Sequence, residues 1–259
     1  PVIGGGPAGM QAAIVLAERG FRPILFERRA YLGGSAVLAS KAPCKGLVAE
    51  YIETQKNQLA ALGVQVELNH APTMAELRRL DPYGVFVTMG GQQIVPDIPG
   101  IDRENVFGIE DVLLGRRAIE GREVAVIGGG HVGLEVAHFL CANNKVTIVE
   151  MADEIGASVY YITKFKLLPL LREAGVTFRT GQAIAAVDDG SIRLRDTHTG
   201  QCTELKAEAV VLAMGSRPDL AARAAFDRNF DHVVYAGDAV RGGTMLEANR
   251  DAFALAWEF

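Results

Sequence analysis

Two segments of this chain carry the same run of residue types. Val2-Ile3-Gly4-Gly5-Gly6-Pro7-Ala8-Gly9 recurs as Val126-Ile127-Gly128-Gly129-Gly130-His131-Val132-Gly133. Each is a short apolar stretch running into G-x-G-x-x-G, a turn that holds phosphate by its shape. The first glycine bends the chain sharply, the second lets the backbone approach a pyrophosphate, and the third lets the following helix pack closely on the strand. The free N–H groups at the start of that helix then face the phosphates with partial positive charge. Farther on, Pro23-Ile24-Leu25-Phe26-Glu27 and Lys145-Val146-Thr147-Ile148-Val149-Glu150 each end in an acid, 23 residues after Gly4 and 22 after Gly128. A carboxylate at that place accepts hydrogen bonds from an adenosine ribose. A single such turn is a weak signal. Two, each with strand, helix and acid in the same register, imply that the chain binds two dinucleotides or descends from one that did.

The elements that must position these residues follow from the pattern. Alanine-rich amphipathic helices are expected over Met10 to Arg19 and Leu134 to Cys141. Gly63 to Leu68 reads as a strand, and Tyr83 to Gly90 as a buried apolar strand ending at a glycine. Pro96-Asp97-Ile98-Pro99-Gly100 fits neither a helix nor a central strand and marks a crossover. Val176 to Thr180, Ala183 to Val187 and Ser191 to Arg195 alternate like a meander, with turns at Asp188-Asp189-Gly190 and Thr197 to Gly200. Ala209 to Met214 is another apolar strand, ending at Gly215. Val233 to Asp238 is one more strand, followed by a helix from about Thr244. This last strand follows the second unit but suits the close of the first, so the second domain is expected to be inserted into the first.

Composition narrows the function classes. Hydrophobic residues make up 49% and charged residues 22%, an ordinary globular balance. The longest apolar runs are about six residues, well short of the ~20 that a membrane helix needs. With 26 basic and 31 acidic residues mixed along the chain, the net charge is −5. There is no basic footprint for nucleic acid or for an anionic membrane. Cys44, Cys141 and Cys202 lie far apart with no C-x-x-C, which offers neither a disulfide framework nor a thiolate cluster and suits a reducing cytoplasm. The abrupt opening at Pro1-Val2-Ile3 and the apolar helical pattern running to Phe259 read as a piece of a longer protein.

These residues resemble the two-dinucleotide-binding-domain flavoproteins. Within that group they are most similar to the C-terminal half of 2,4-dienoyl-CoA reductase-like and trimethylamine dehydrogenase-like enzymes, in which an old-yellow-enzyme barrel with FMN precedes this region. Leu25-Phe26-Glu27-Arg28, Leu32-Gly33-Gly34, Ala42-Pro43-Cys44-Lys45, Ile98-Pro99-Gly100, Gly129 to Ala137 and Gly237-Asp238-Ala239 carry the resemblance, which covers essentially the whole chain. It implies an α/β fold of two Rossmann-like domains. Residues 1–108 and 217–259 would form an FAD domain, and residues 109–216 an NAD(H) domain inserted into it. By the same resemblance, Gly4, Gly6 and Gly9, with Pro7 and Ala8, would hold the FAD pyrophosphate. Glu27 would bind the adenosine ribose. Read from residue type alone, the pair Arg28-Arg29 suits stacking on adenine or neutralising phosphate and, equally, a solvated charged surface. Gly33, Gly34, Met89 and Gly90 would pass close to the cofactor, and Gly237 and Asp238 would contact its ribityl and phosphate part. Gly128, Gly130, Gly133 and Glu150, with His131 and Val132, would hold NAD(H), and Gly215 would sit at the edge of that site. The implied activity is a hydride relay from NADH to FAD, with electrons passing on to an iron–sulfur cluster and FMN in a barrel outside this chain, for reduction of an enoyl-type substrate. A self-standing diaphorase or NADH oxidase-like flavoenzyme, and a structural module holding ADP in the first site, stay open beside it.

Some positions depart from the family pattern. Ala-Thr-Gly at the two strand ends reads Thr88-Met89-Gly90 and Ala213-Met214-Gly215, so a methionine replaces the usual threonine in both. Glu150 would face a 2′-phosphate with like charge, and Met151-Ala152-Asp153-Glu154 supplies no cation, which favours NADH over NADPH. Cys44 lies between Lys41 and Lys45, but its surroundings match the barrel-fused subgroup better than the disulfide reductases, and it is not assigned a redox role. His131, His138 and Cys141 share a helix face without a fourth ligand nearby, so no metal site is assigned. No catalytic side chain is named, because hydride transfer is the cofactors' own chemistry, and the protein aligns them and excludes water.

Overall fold

A computed structural model describes all residues from Pro1 to Phe259. The chain divides into two compact units. The first comprises residues 1–40, 45–93 and 216–259, and the second residues 41–44 and 94–215. No helix is long and apolar enough to cross a membrane.

The first unit opens with β1 (Val2–Ile3), the turn at Gly4 to Gly6, and α1 (Pro7–Glu18). Proline at the first helical position costs nothing there, because its missing N–H would have no partner inside the helix. The helix therefore starts three residues earlier than the apolar pattern suggests. Then come β2 (Ile24–Phe26), α2 (Ser35–Lys41), α3 (Gly46–Ala61), β3 (Gln65–Glu67), α4 (Met74–Arg79), β4 (Val85–Val87) and β5 (Gly91–Gln93). Thr73 and Glu76 close a capping box at the start of α4.

The second unit contributes β6 (Val106–Gly108), α5 (Ile109–Leu113), β7 (Glu123–Ile127), α6 (His131–Leu140), β8 (Lys145–Val149), α7 (Tyr161–Glu173) and β9 (Thr177–Arg179). It continues with β10 (Gln182–Val187), β11 (Ser191–Asp196), β12 (Cys202–Lys206) and β13 (Ala209–Leu212). The chain returns to the first unit as β14 (Ser216–Pro218), α8 (Leu220–Asp227), β15 (Val233–Tyr235) and α9 (Met245–Glu258), the last opened by a Thr244–Glu247 capping box.

The first unit's main sheet is wholly parallel, in the order β15-β4-β1-β2-β3. The second unit's parallel sheet runs β6-β13-β7-β8-β9. Central strands of such sheets are covered on both faces. Accordingly Val85, Phe86 and Val87 are buried without alternation, as are Ala209, Val210, Val211 and Leu212. In the first unit, α1 lays Ala12, Ala13, Val15 and Leu16 against a core that includes Ala252 and Ala256 of α9.

Three sequence expectations are corrected here. The boundary placed at residue 108 moves to 93, because Val106–Gly108 pairs with β13 inside the second sheet. The return boundary falls at 215/216, one residue earlier than expected. The Val176 to Thr180 segment is not part of a meander: β9 is the edge strand of the parallel sheet, joined to β8 with Thr147 opposite Thr177. The three-stranded antiparallel sheet is instead β10-β11-β12. Its third strand, Cys-Thr-Glu-Leu-Lys, is almost wholly exposed and so carries no apolar alternation to announce it.

Two candidate dinucleotide cradles

Both parallel sheets change winding direction at the same place relative to their glycine turns. In the first, β1 is followed outward by β2 and β3 on one side, while β4 lies on its other side. In the second, β8 and β9 lie to one side of β7 and β13 to the other. In open α/β sheets ligands bind in the crevice beyond the strand ends at such a switch point. Each crevice is flanked here by a glycine turn and by a Met-Gly pair, Met89-Gly90 beyond β4 and Met214-Gly215 beyond β13. Gly90 and Gly215 have φ of +77° and +86°, the left-handed region that favours glycine.

The three glycines of each turn have different surroundings, and the difference is the same in both copies. A Cβ on Gly4 would lie 2.6 Å from Thr88 O and from Met89 Cα, and one on Gly128 would lie 2.4 Å from Ala213 O. A Cβ on Gly9 would meet Gly4 O at 1.8 Å, and one on Gly133 would meet Gly128 O at 1.9 Å. The first and third glycines are therefore fixed by the protein's own backbone. The second is not. A Cβ on Gly6 would come no closer than 3.9 Å to Gly34 Cα, and one on Gly130 would meet nothing within 4 Å, although both residues have ordinary extended φ of −77° and −74°. Space is thus left open at the second glycine of each turn, at the N-termini of α1 and α6.

The two acids are tied to their own turns. Glu27, 6% exposed, accepts from Gly5 N (2.7 Å) through Oε2 and from Arg29 N (2.8 Å) through Oε1. Glu150 repeats the pattern, accepting from Gly129 N (2.6 Å) through Oε2 and from Ala152 N (2.9 Å) through Oε1. A carboxylate offers about four acceptor directions, so ribose hydroxyls still have places to donate. The middle glycines Gly5 and Gly129, whose N–H groups orient these carboxylates, are site residues that sequence reasoning passed over.

In the first unit the structure brings nearly all the expected positions together. Gly33 N donates to Gly5 O (2.8 Å), and Gly33 and Gly34 are both left-handed, with φ of +115° and +52°. A Cβ on Gly34 would lie 2.9 Å from Gly6 Cα, and one on Gly237 would lie 3.1 Å from Ala8 Cβ. Pro7 and Ala8 are buried in the first turn of α1. Arg28 stands exposed beyond β2. Asp238, half-buried after β15, accepts from Ser216 Oγ (3.2 Å) and Gly243 N (3.2 Å), and burial pushes its carboxyl above the ordinary aspartate range.

Thr88 was missed as well. It is 5% exposed, and its hydroxyl donates to Ile3 O (3.0 Å) and Gly4 O (2.9 Å), the two carbonyls at the entry to the first turn. The family's usual threonine is replaced by Met89, which packs into the core instead, so the hydroxyl stands one residue earlier in the chain. The second unit has Ala213 at that place.

In the second unit His131 and Val132 begin α6. His131 Nε2 lies 2.8 Å from Oε1 of Glu135, one turn on and buried at 7% exposure. Cys141 Sγ donates to His138 O (3.2 Å). Cys44 is exposed and left-handed, with φ of +62°.

Comparison with known proteins adds the family. A profile of pyridine nucleotide-disulphide oxidoreductases matches residues 1–232. The chain is 34% identical over 263 residues to an NADH oxidase of Thermoanaerobacter brockii, covering 99% of this chain and 40% of that protein. It is 32% identical over 238 residues to a bilirubin reductase of Mediterraneibacter gnavus, covering 92% and 37%. Among solved structures, a 2-naphthoyl-CoA reductase in complex with 2-naphthoyl-CoA superposes with a TM-score of 0.91 at 26% identity, over 100% of this chain and 39% of that one. The chain thus spans about two fifths of the length of these relatives. The resemblance to the barrel-fused flavoproteins, the doubly nucleotide-binding α/β fold and the pairing of FAD with NAD(H) all agree with these matches. The chain belongs to the pyridine nucleotide-disulphide oxidoreductase family.

Proposed function

We propose that this chain is an NADH-dependent flavin oxidoreductase module, with FAD held in the first cradle and NADH in the second. The observation that carries this reading is the open space at Gly6 and Gly130, between glycines that the backbone itself encloses, repeated in two independent copies. FAD bound there would supply the chemistry of accepting hydride from a nicotinamide and releasing electrons onward. The chain's own residues bind and orient. In the first unit Gly6, Pro7 and Ala8 present the start of α1 to the pyrophosphate, and Glu27 accepts from the ribose hydroxyls. Gly237 and Asp238 receive the ribityl chain, and the carboxyl of Asp238 accepts from its hydroxyls. In the second, Gly130, His131 and Val132 present the start of α6, and Glu150 takes the ribose and repels a 2′-phosphate. Gly90 and Gly215 leave their crevices unobstructed.

The acceptor of the electrons belongs to the remaining length of the relatives. An FMN and iron–sulfur barrel domain reducing an enoyl-type substrate is the arrangement favoured by the likeness to the naphthoyl-CoA and bilirubin reductases. The test is an anaerobic titration of the FAD-loaded protein with NADH, followed at the flavin's visible band. Bleaching by NADH, and much less by NADPH, is the expected result. A protein that stays colourless after incubation with FAD would overturn the flavoenzyme reading and leave a module that holds ADP alone.

A further inference from the structure

We infer that His198, on the turn between β11 and β12, is a specificity-determining residue of the second cradle, setting how strongly the acidic loop after Glu150 rejects a 2′-phosphorylated nucleotide. The inference rests on the reading of that cradle as a nicotinamide-nucleotide site. Ala152 N donates to Glu150 Oε1 (2.9 Å), so the loop starts at the carboxylate proposed to take the ribose. The β11–β12 turn then holds the loop in place. Gly181 N donates to Ala152 O (2.9 Å), and Gly181 O accepts from both Thr197 N (2.8 Å) and Thr197 Oγ1 (3.0 Å). Asp196 Oδ1 accepts from His198 N (3.0 Å), Thr199 N (2.8 Å) and Thr199 Oγ1 (3.0 Å), which fixes the backbone beneath the imidazole. From that position His198 Nε2 lies 2.6 Å from Asp153 Oδ1. Gly181 lies close behind the pair: a Cβ built there would meet both side chains at 3.5 to 3.6 Å.

The charges around this loop decide what a 2′-phosphate would meet. Glu154 is already paired with Lys164 of α7. Glu150 and Asp153 carry the remaining negative charge of the stretch, and Arg179, the exposed last residue of β9, accepts from Glu150 N through its own carbonyl. Asp153 is neutralised only when His198 is protonated. Asp153 and Asp196 both push the imidazole's proton affinity upward, Asp153 chiefly by hydrogen bonding. Below that titration the ion pair cancels Asp153 and the site tolerates a phosphate better. Above it Asp153 stands without a cationic partner, three residues after Glu150 in the chain.

The 2′-phosphate itself gains charge over the same pH range, so the test is a comparison of variants and not a single pH profile. Calorimetric titration of the protein with NAD⁺ and with NADP⁺, at pH 6 and pH 8.5, gives the ratio of the two dissociation constants without turnover. At pH 6 His198→Gln should raise the ratio of NADP⁺ to NAD⁺ dissociation constants by about two- to five-fold over the unsubstituted protein, the range expected for an exposed pair. At pH 8.5 the two proteins should agree. Adding Asp153→Asn to His198→Gln should restore the unsubstituted ratio at pH 6. Equal ratios for His198→Gln and the unsubstituted protein at both pH values would overturn the inference while leaving the cradle intact. Failure of the unsubstituted protein to bind either nucleotide would overturn both.

Discussion

Replacing Gly130 by alanine probes the second cradle at the one glycine of its G-x-G-x-x-G turn that the protein leaves uncovered. The backbone there is extended, with φ −74° and ψ −171°, so alanine fits without strain, and its methyl group would meet no protein atom within 4 Å. Restricting the unfolded chain favours alanine by about 0.4 to 1 kcal/mol. The residue is also the N-cap of α6, where alanine is poorer than glycine by an opposing, comparable amount. The net change should stay within about 1 kcal/mol, or about 4 °C in the unfolding midpoint for a chain of this size. Gly133→Ala is the contrast. Its methyl would sit 1.9 Å from Gly128 O, so α6 must shift off β7, at about 1 to 3 kcal/mol or more. Nucleotide binding should separate the two effects. Gly130→Ala fills the space proposed for the pyrophosphate and should weaken NAD⁺ binding at least tenfold, about 1.4 kcal/mol, in a protein that melts normally. Calorimetry with NAD⁺ and a thermal melt on the same preparation give both numbers. Binding of NAD⁺ by Gly130→Ala as tight as by the unsubstituted protein, or a midpoint as low as that of Gly133→Ala, would refute this role for Gly130.

Two further substitutions address the first unit. Thr88→Val keeps the shape but removes the donor to Ile3 O and Gly4 O, and should destabilise by about 1 to 3 kcal/mol in urea unfolding, with Thr88→Ser recovering most of the loss; an unchanged midpoint for the valine variant would show that the hydroxyl contributes nothing. For Asp238, burial raises the folded-state pKa above the unfolded one, so this carboxyl favours the fold at pH values below the unfolded pKa and loses that contribution as the pH rises through the folded value. Asp238→Asn should therefore raise the unfolding midpoint of the flavin-free protein at pH 7, with the gain fading as the pH is lowered, and a gain of equal size at both ends of the range would contradict this cause.

The parts of the fold legible in the sequence were those that repeat. Glycine turns, the strands entering them and the acids at Glu27 and Glu150 stand out because each residue type answers a local steric or hydrogen-bonding demand, met twice. Elements without such a demand were harder to read. The ribbon of β5 and β14 pairs Gly91–Gln93 with Ser216–Pro218, strands that carry no apolar alternation. The helix starts at Pro7 and His131 lay ahead of the apolar pattern, because the first turn of each helix is shaped by the glycine turn and not by burial. In the site, the choice of glutamate was legible, but its hold on Gly5 N or Gly129 N was not, since those glycines looked like mere spacers. Thr88 stayed hidden for a related reason. Its hydroxyl serves a carbonyl 84 residues away in sequence, a contact that only the pairing of β4 with β1 creates.

The nesting of one unit within the other also sets an order of events during synthesis. The second unit is one nearly continuous stretch, and its parallel sheet has every strand once Leu212 has been made. The first unit begins earlier yet finishes later. Its sheet lacks an edge strand until Tyr235, and Ala12, Ala13, Val15 and Leu16 of α1 lack part of their covering until Ala252 and Ala256 of α9 emerge. A ribosome adding about 5 to 20 residues per second therefore leaves the first unit half-built, with apolar helix surface bare, while the inserted unit has time to reach its final form.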